Sequence, residues 1–143
     1  MKRTFHDLFT EVGNATKKAD KIAILQKNSS AQLKQVLGMT YDPRVVWLLP
    51  EGEPPYKPMD KASDQESGLF SEVRKLYLFV KGDSPTQRNL KPLRREQLFI
   101  NMLESIDPDD AKVLLAMKEG KLPYKGLTRA LVAEAFPTIS KDW

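Results

Sequence analysis

Apolar side chains recur at helical spacing along most of this chain, and no stretch of useful length alternates in the manner of a strand. Phe5, Leu8, Phe9 and Val12 fall at i, i+3, i+4 and i+7, which predicts a first helix from about Thr4 to Val12, ending at Gly13. A second helix is expected over Lys17 to Lys27, with Ile22 and Leu25 inward and the lysines on the opposite side. Asn28-Ser29-Ser30 supplies a turn and a new cap for a helix carrying Leu33, Val36 and Leu37. Asp42-Pro43 has the form of a cap followed by a first-turn proline, and predicts a short helix through Val46, Trp47 and Leu49 that Pro50 ends.

Residues 50–67 hold four prolines, Pro50, Pro54, Pro55 and Pro58, and few apolar side chains, so they are expected to form an exposed, extended loop. Leu69, Val73, Leu76, Tyr77 and Val80 then make one helical stripe ending at Gly82. From Leu93 to Ile106 the apolar residues cover more than half the helical circumference, which predicts the central buried helix of the domain. Asp107-Pro108-Asp109-Asp110 is a strong helix start, closed by Gly120, and a last helix from Thr128 to Ala135 is stopped by Pro137. The expected fold is all-α, a single domain spanning 1–143 built as an irregular bundle of about seven or eight short helices.

Composition narrows the chemistry. With 143 residues and 41% apolar content one core is enough, burying about 68% of the unfolded surface. There is no cysteine and one histidine, His6, so disulfides, thiolate sites and histidine-rich zinc sites are excluded, and neither a metal nor a cofactor is expected. Asp107, Asp109 and Asp110 could form a magnesium cluster, but capping and the helix dipole account for them. No apolar run is long enough to span a bilayer, and Met1-Lys2-Arg3 leads into an amphipathic segment, so a cytoplasmic location is expected. Phosphate-binding loops, dinucleotide glycine patterns and nucleophile elbows are absent from the sequence, and catalysis is not expected.

The net charge of +4 is unevenly spread. Residues 1–35 carry seven basic against three acidic side chains, and residues 111–130 carry five against Glu119 alone. Acids collect in 51–66 and 104–110. A basic face attractive to polyanions follows, the plain alternative being a mixed solvated surface. Its centre is Leu122-Pro123-Tyr124-Lys125-Gly126-Leu127-Thr128-Arg129, flanked by Lys118 and Lys121. Free N–H groups near Gly126 and Thr128, together with Lys17, Lys18, Lys21, Lys121, Lys125 and Arg129, form a candidate phosphate-binding surface. Equally, Thr128 or Gly126 is only a cap and the lysines only solubilise.

Lys21-Ile22-Ala23-Ile24-Leu25-Gln26-Lys27-Asn28, Leu33-Lys34-Gln35-Val36 and Thr40-Tyr41, and then Val113-Leu114 through Leu122, Gly126, Thr128 and Leu131 to Phe136-Pro137, follow a recognisable order. In these residues the chain resembles the N-terminal, all-helical DNA-binding domain of the ATP-dependent DNA ligase of T-even-type bacteriophages. The resemblance implies a stand-alone phage-type module that grips duplex or nicked DNA through its backbone, largely without reading sequence. Two departures stand out. The family's Lys-x-Asp-Gly nucleophile motif has no counterpart, since Lys81-Gly82-Asp83 has the wrong spacing, so ligation by this chain is not expected. Ala133 stands where an amide-bearing residue is expected to help hold phosphate. The alternative function is an adaptor or inhibitor acting on a replication or repair protein, using the Pro-rich segment 50–58 with Tyr56, and Trp47 or Trp143 as partly exposed anchors. For those tryptophans, core packing of Trp47 and a disordered tail at Trp143 are the plainer readings.

Overall fold

The computed structural model describes residues 4–59 and 68–143. Its architecture is all-helical: α1 (Phe5–Asn14), α2 (Lys18–Lys27), α3 (Ala31–Tyr41), α4 (Leu69–Glu72), a 3₁₀ helix (Val73–Phe79), α5 (Pro85–Asn89), α6 (Pro92–Ser105), α7 (Pro108–Glu119) and α8 (Arg129–Ala135). Local chemistry sets most of the boundaries. Thr4 and Asp7 form a reciprocal capping box at the start of α1. Ser30 accepts from the Leu33 N–H at the start of α3, and Asp107 accepts from the N–H groups of Asp109 and Asp110 ahead of α7. Gly120 ends α7 in the left-handed region at φ 84°, where a β-carbon is strongly disfavoured.

The centre of the bundle is α7, not α6. Helix α7 packs against α1, α3, α4 and α6 and buries Asp110, Ala111, Val113, Leu114 and Met117. Helix α6, expected to be central, is one-sided: it buries Phe99, Met102 and Leu103 while Leu93 is 78% exposed. Its inner face also carries Arg95, whose guanidinium donates to the carbonyls of Leu78 and Gln87, 3.0 Å each. The broad apolar arc therefore includes one residue, Leu93, that stands largely outside the core.

Two further expectations are corrected. The segment after Asp42 is not a helix. The Asp42 carboxylate folds back onto the Arg44 backbone N–H and guanidinium, and the chain then runs extended. An isolated antiparallel bridge joins Trp47 to Val80, with the Leu48 N–H on the Phe79 carbonyl and the Lys81 N–H on the Val46 carbonyl, 2.8 Å each. The stripe from Leu69 to Val80 is only one α-turn followed by 3₁₀ helix, and its buried residues are Leu69, Val73, Leu76 and Phe79, with Tyr77 exposed. Spacing by three at 73, 76 and 79 is what three residues per turn place on one face.

Of the expected loop 50–67, residues 60–67 lie outside the described part. Residues 50–59 contain no regular element and are pinned to the helices. The Lys118 ammonium, with 4% of its side chain exposed, donates to the Pro50 and Gly52 carbonyls and to Glu119 Oε1. The Lys57 N–H donates to Glu104. Tyr56, Trp47 and Trp143 are each half-buried against the core and partly exposed, so the chain end at Trp143 is packed and not a loose tail.

Candidate nucleic-acid interface

The turn between α7 and α8 is held from below by four side chains. Leu122 and Leu127 are buried anchors. The Tyr41 phenol at the end of α3 accepts from the Leu122 N–H at 3.2 Å and donates to the Leu127 carbonyl at 2.8 Å, clamping both ends of the turn. Burial pushes that phenol above its ordinary pKa despite the Leu122 hydrogen bond. The fourth is Lys21. Its ammonium donates to the Val12 carbonyl at 2.8 Å and to the Lys125 carbonyl at 3.0 Å, which ties the end of α1, the middle of α2 and the turn into one unit.

Lys21 is therefore a correction. Expected on the solvent face of α2, it is 7% exposed and directed inward. A lysine survives burial when its donors are met, and here two backbone carbonyls take two of the three. Gly126 is required by the same geometry: its φ is +76°, and an added Cβ would lie 2.7 Å from Lys21 Cε. Gly13 serves a related end, since its Cβ position lies 3.4 Å from the Lys125 nitrogen, so α1 closes against the turn.

The remaining predicted residues divide by their partners. Lys17, Lys121, Lys125 and Arg129 are exposed and, among the described residues, take part in no ion pair. Lys18 is exposed but paired with Glu134 on α8, 2.6 Å away. Thr128 caps α8, its hydroxyl accepting from the Leu131 N–H at 3.2 Å. Lys118 belongs to the 50–52 corner and not to this surface. The structure thus brings the α2 start, the turn and the α8 start together, with Lys21 as the tie rather than a contact.

Beside this surface lies a polar cluster that sequence reasoning assigned to capping alone. Asp110 is fully buried. One of its carboxylate oxygens accepts from the His6 N–H in the first turn of α1, 3.0 Å. The other accepts from the Leu69 N–H at the start of α4, 2.9 Å. Burial raises its pKa in spite of both hydrogen bonds. His6 Nδ1 lies 2.9 Å from the Tyr124 hydroxyl and His6 Nε2 3.9 Å from Asp109. Burial, followed by the charges of Asp110 and Asp109, pushes the Tyr124 phenol up to about 12. Nothing in the local sequence marks Asp110 as a lock between helices 41 and 104 residues away. Among the described residues, no group of three or more His, Asp or Glu side chains converges as a metal site, and no helix is long and apolar enough to cross a membrane.

The geometry defines a small all-helical domain with a braced, lysine-bearing turn between its last two helices. Residues 8–124 match the family of unknown function DUF6433, and the chain belongs to that family. No curated protein and no solved structure matches it.

Proposed function

We propose that this chain is a non-catalytic, cytoplasmic DNA-binding protein that holds duplex or nicked DNA by its phosphate backbone with little sequence preference. The observation that carries the reading is the set of exposed cations, Lys17, Lys121, Lys125 and Arg129, on segments that Lys21 and Tyr41 fasten together. Phosphate contacts of this kind position a protein without reading bases. A fixed turn also spares part of the ordering cost that binding would otherwise incur. The resemblance to the helical DNA-binding domain of the T-even-type phage ligase supports the same reading, and the residues that carry it include Lys21 in α2 and Leu122, Gly126 and Thr128 in the turn. With so few phosphate contacts the expected affinity is roughly micromolar or weaker at physiological salt.

A salt titration of binding to nicked, intact and single-stranded DNA tests the reading. The Lys121→Ala/Lys125→Ala variant should bind every sequence more weakly, to about the same degree, and its salt dependence should flatten by roughly one unit per lost contact. Unchanged affinity of that variant at low salt would refute the assignment.

A further inference from the structure

A second surface is built on different elements. Between residues 49–55 and the outer side of α6 lies an open groove of about 600 Å³, lined by Leu49, Pro54 and Pro55 and by Leu93, Phe99 and Ile100. That volume is within the range of sites that accept ligand-sized groups. Both walls are fixed in advance, one by the helix and the other by Lys118, which holds the Pro50 and Gly52 carbonyls, and by Glu104, which holds the Lys57 N–H.

The charge around the groove is one-sided. Glu51, Glu53 and Glu96 line it, and among the described residues none of the three is in an ion pair. Lys118, also in the lining, is buried and already has three acceptors. In a chain of net charge +4 this acidic rim is a local reversal. Pro54 and Pro55 have no N–H to offer, so at these two positions an incoming strand finds acceptors but no donors. The distinctive features of the groove are instead its apolar lining and its acidic rim, which apolar side chains and cations would meet. We infer that this groove docks a short protein segment in which apolar anchors alternate with lysine or arginine, leaving the basic turn free for the polyanion.

Fluorescence anisotropy on the intact chain tests this with three labelled peptides of equal length, alternating Leu-Lys, Leu-Glu and Ser-Lys. The Leu-Lys peptide should bind at least about tenfold more tightly than either of the others. Leu93→Ser and Glu51→Lys/Glu53→Lys should each weaken it by about fivefold or more. All three positions are exposed, so circular dichroism should report an unchanged fold. Lys121→Ala/Lys125→Ala should leave peptide binding intact, which separates this site from the DNA surface. Equal binding of the Leu-Glu peptide, or insensitivity to both groove variants, would overturn the inference. So would sedimentation showing that the free chain self-associates through Leu93, which would make a second copy the occupant.

Discussion

Replacing Gly126 with alanine tests whether the basic turn is held as described, because it makes two demands on the same few atoms. The first is conformational: at φ +76° a residue with a β-carbon meets a cost of about 1–2 kcal/mol. The second comes from Lys21, whose Cε and Nζ would lie 2.7 and 3.1 Å from the new methyl. A lysine arm is flexible, so the overlap can be relieved, but only by drawing the ammonium off the Val12 and Lys125 carbonyls. Hydrogen bonds from a charged donor contribute about 1.5–3 kcal/mol. The total loss for Gly126→Ala is therefore about 2.5–5 kcal/mol. Lys21→Met removes the ammonium while keeping the bulk, and in that background only the backbone cost remains. Urea denaturation of the parent, both single variants and the double variant should show a coupling of about 1.5–3 kcal/mol. Additivity within about 0.5 kcal/mol would show that Lys21 is not what Gly126 makes room for, and a single-variant loss below about 1 kcal/mol would refute the left-handed strain as well.

Asp110→Asn offers one acceptor to two N–H groups and should cost about 1–3 kcal/mol. Because burial raises the folded carboxyl above its ordinary 3.8, the folded state takes up this proton before the unfolded chain does. The parent's advantage over the variant should then grow as pH falls from that raised value through 3.8, and an advantage that shrinks on acidification would contradict it. Phe99→Ala removes a buried ring packed edge-on to Phe79 at 5.2 Å and should lower stability by about 3–5 kcal/mol in chemical denaturation. In an ultraviolet difference titration a tyrosinate phase should occur at about pH 12 and vanish in Tyr124→Phe.

Helix ends were the most legible feature of the sequence because a cap is a local device. Thr4, Ser30, Asp107, Thr128 and Gly120 each act within a few residues of where they stand. Errors arose where a distant partner decided the outcome. Asp42-Pro43 carries a helix-start signal, yet Val45, Val46 and Trp47 have strand character, and pairing with residues 79–81 prevails. In α6 the apolar count was right and the burial was not. Periodicity cannot tell which part of an arc meets a neighbour, and Leu93 faces the groove while Arg95 turns inward to carbonyls supplied by residues 78 and 87. Spacing of three at Val73, Leu76 and Phe79 was visible in the sequence and could have identified the 3₁₀ helix.

The same limit governs the cations. Lys21, Lys118 and Lys125 look alike in sequence, but the first is spent on carbonyls of residues 12 and 125 and the second on those of residues 50 and 52. The third keeps an exposed side chain. On the proposed reading this makes a quantitative difference. Phosphate neutralisation lowers the logarithm of the DNA association constant by about 0.9 per contact for each unit of log salt. Six contacts from Lys17, Lys18, Lys21, Lys121, Lys125 and Arg129 would give a slope of about −5.4. With Lys21 buried and Lys18 held by Glu134, four contacts remain, and the slope should be about −3.6. Glu134→Gln releases Lys18 and should steepen it by just under one unit, about 0.9. A parent slope near about −4.5, or one that Glu134→Gln leaves unchanged, would show that the ion pair opens on binding and that Lys18 already reaches phosphate.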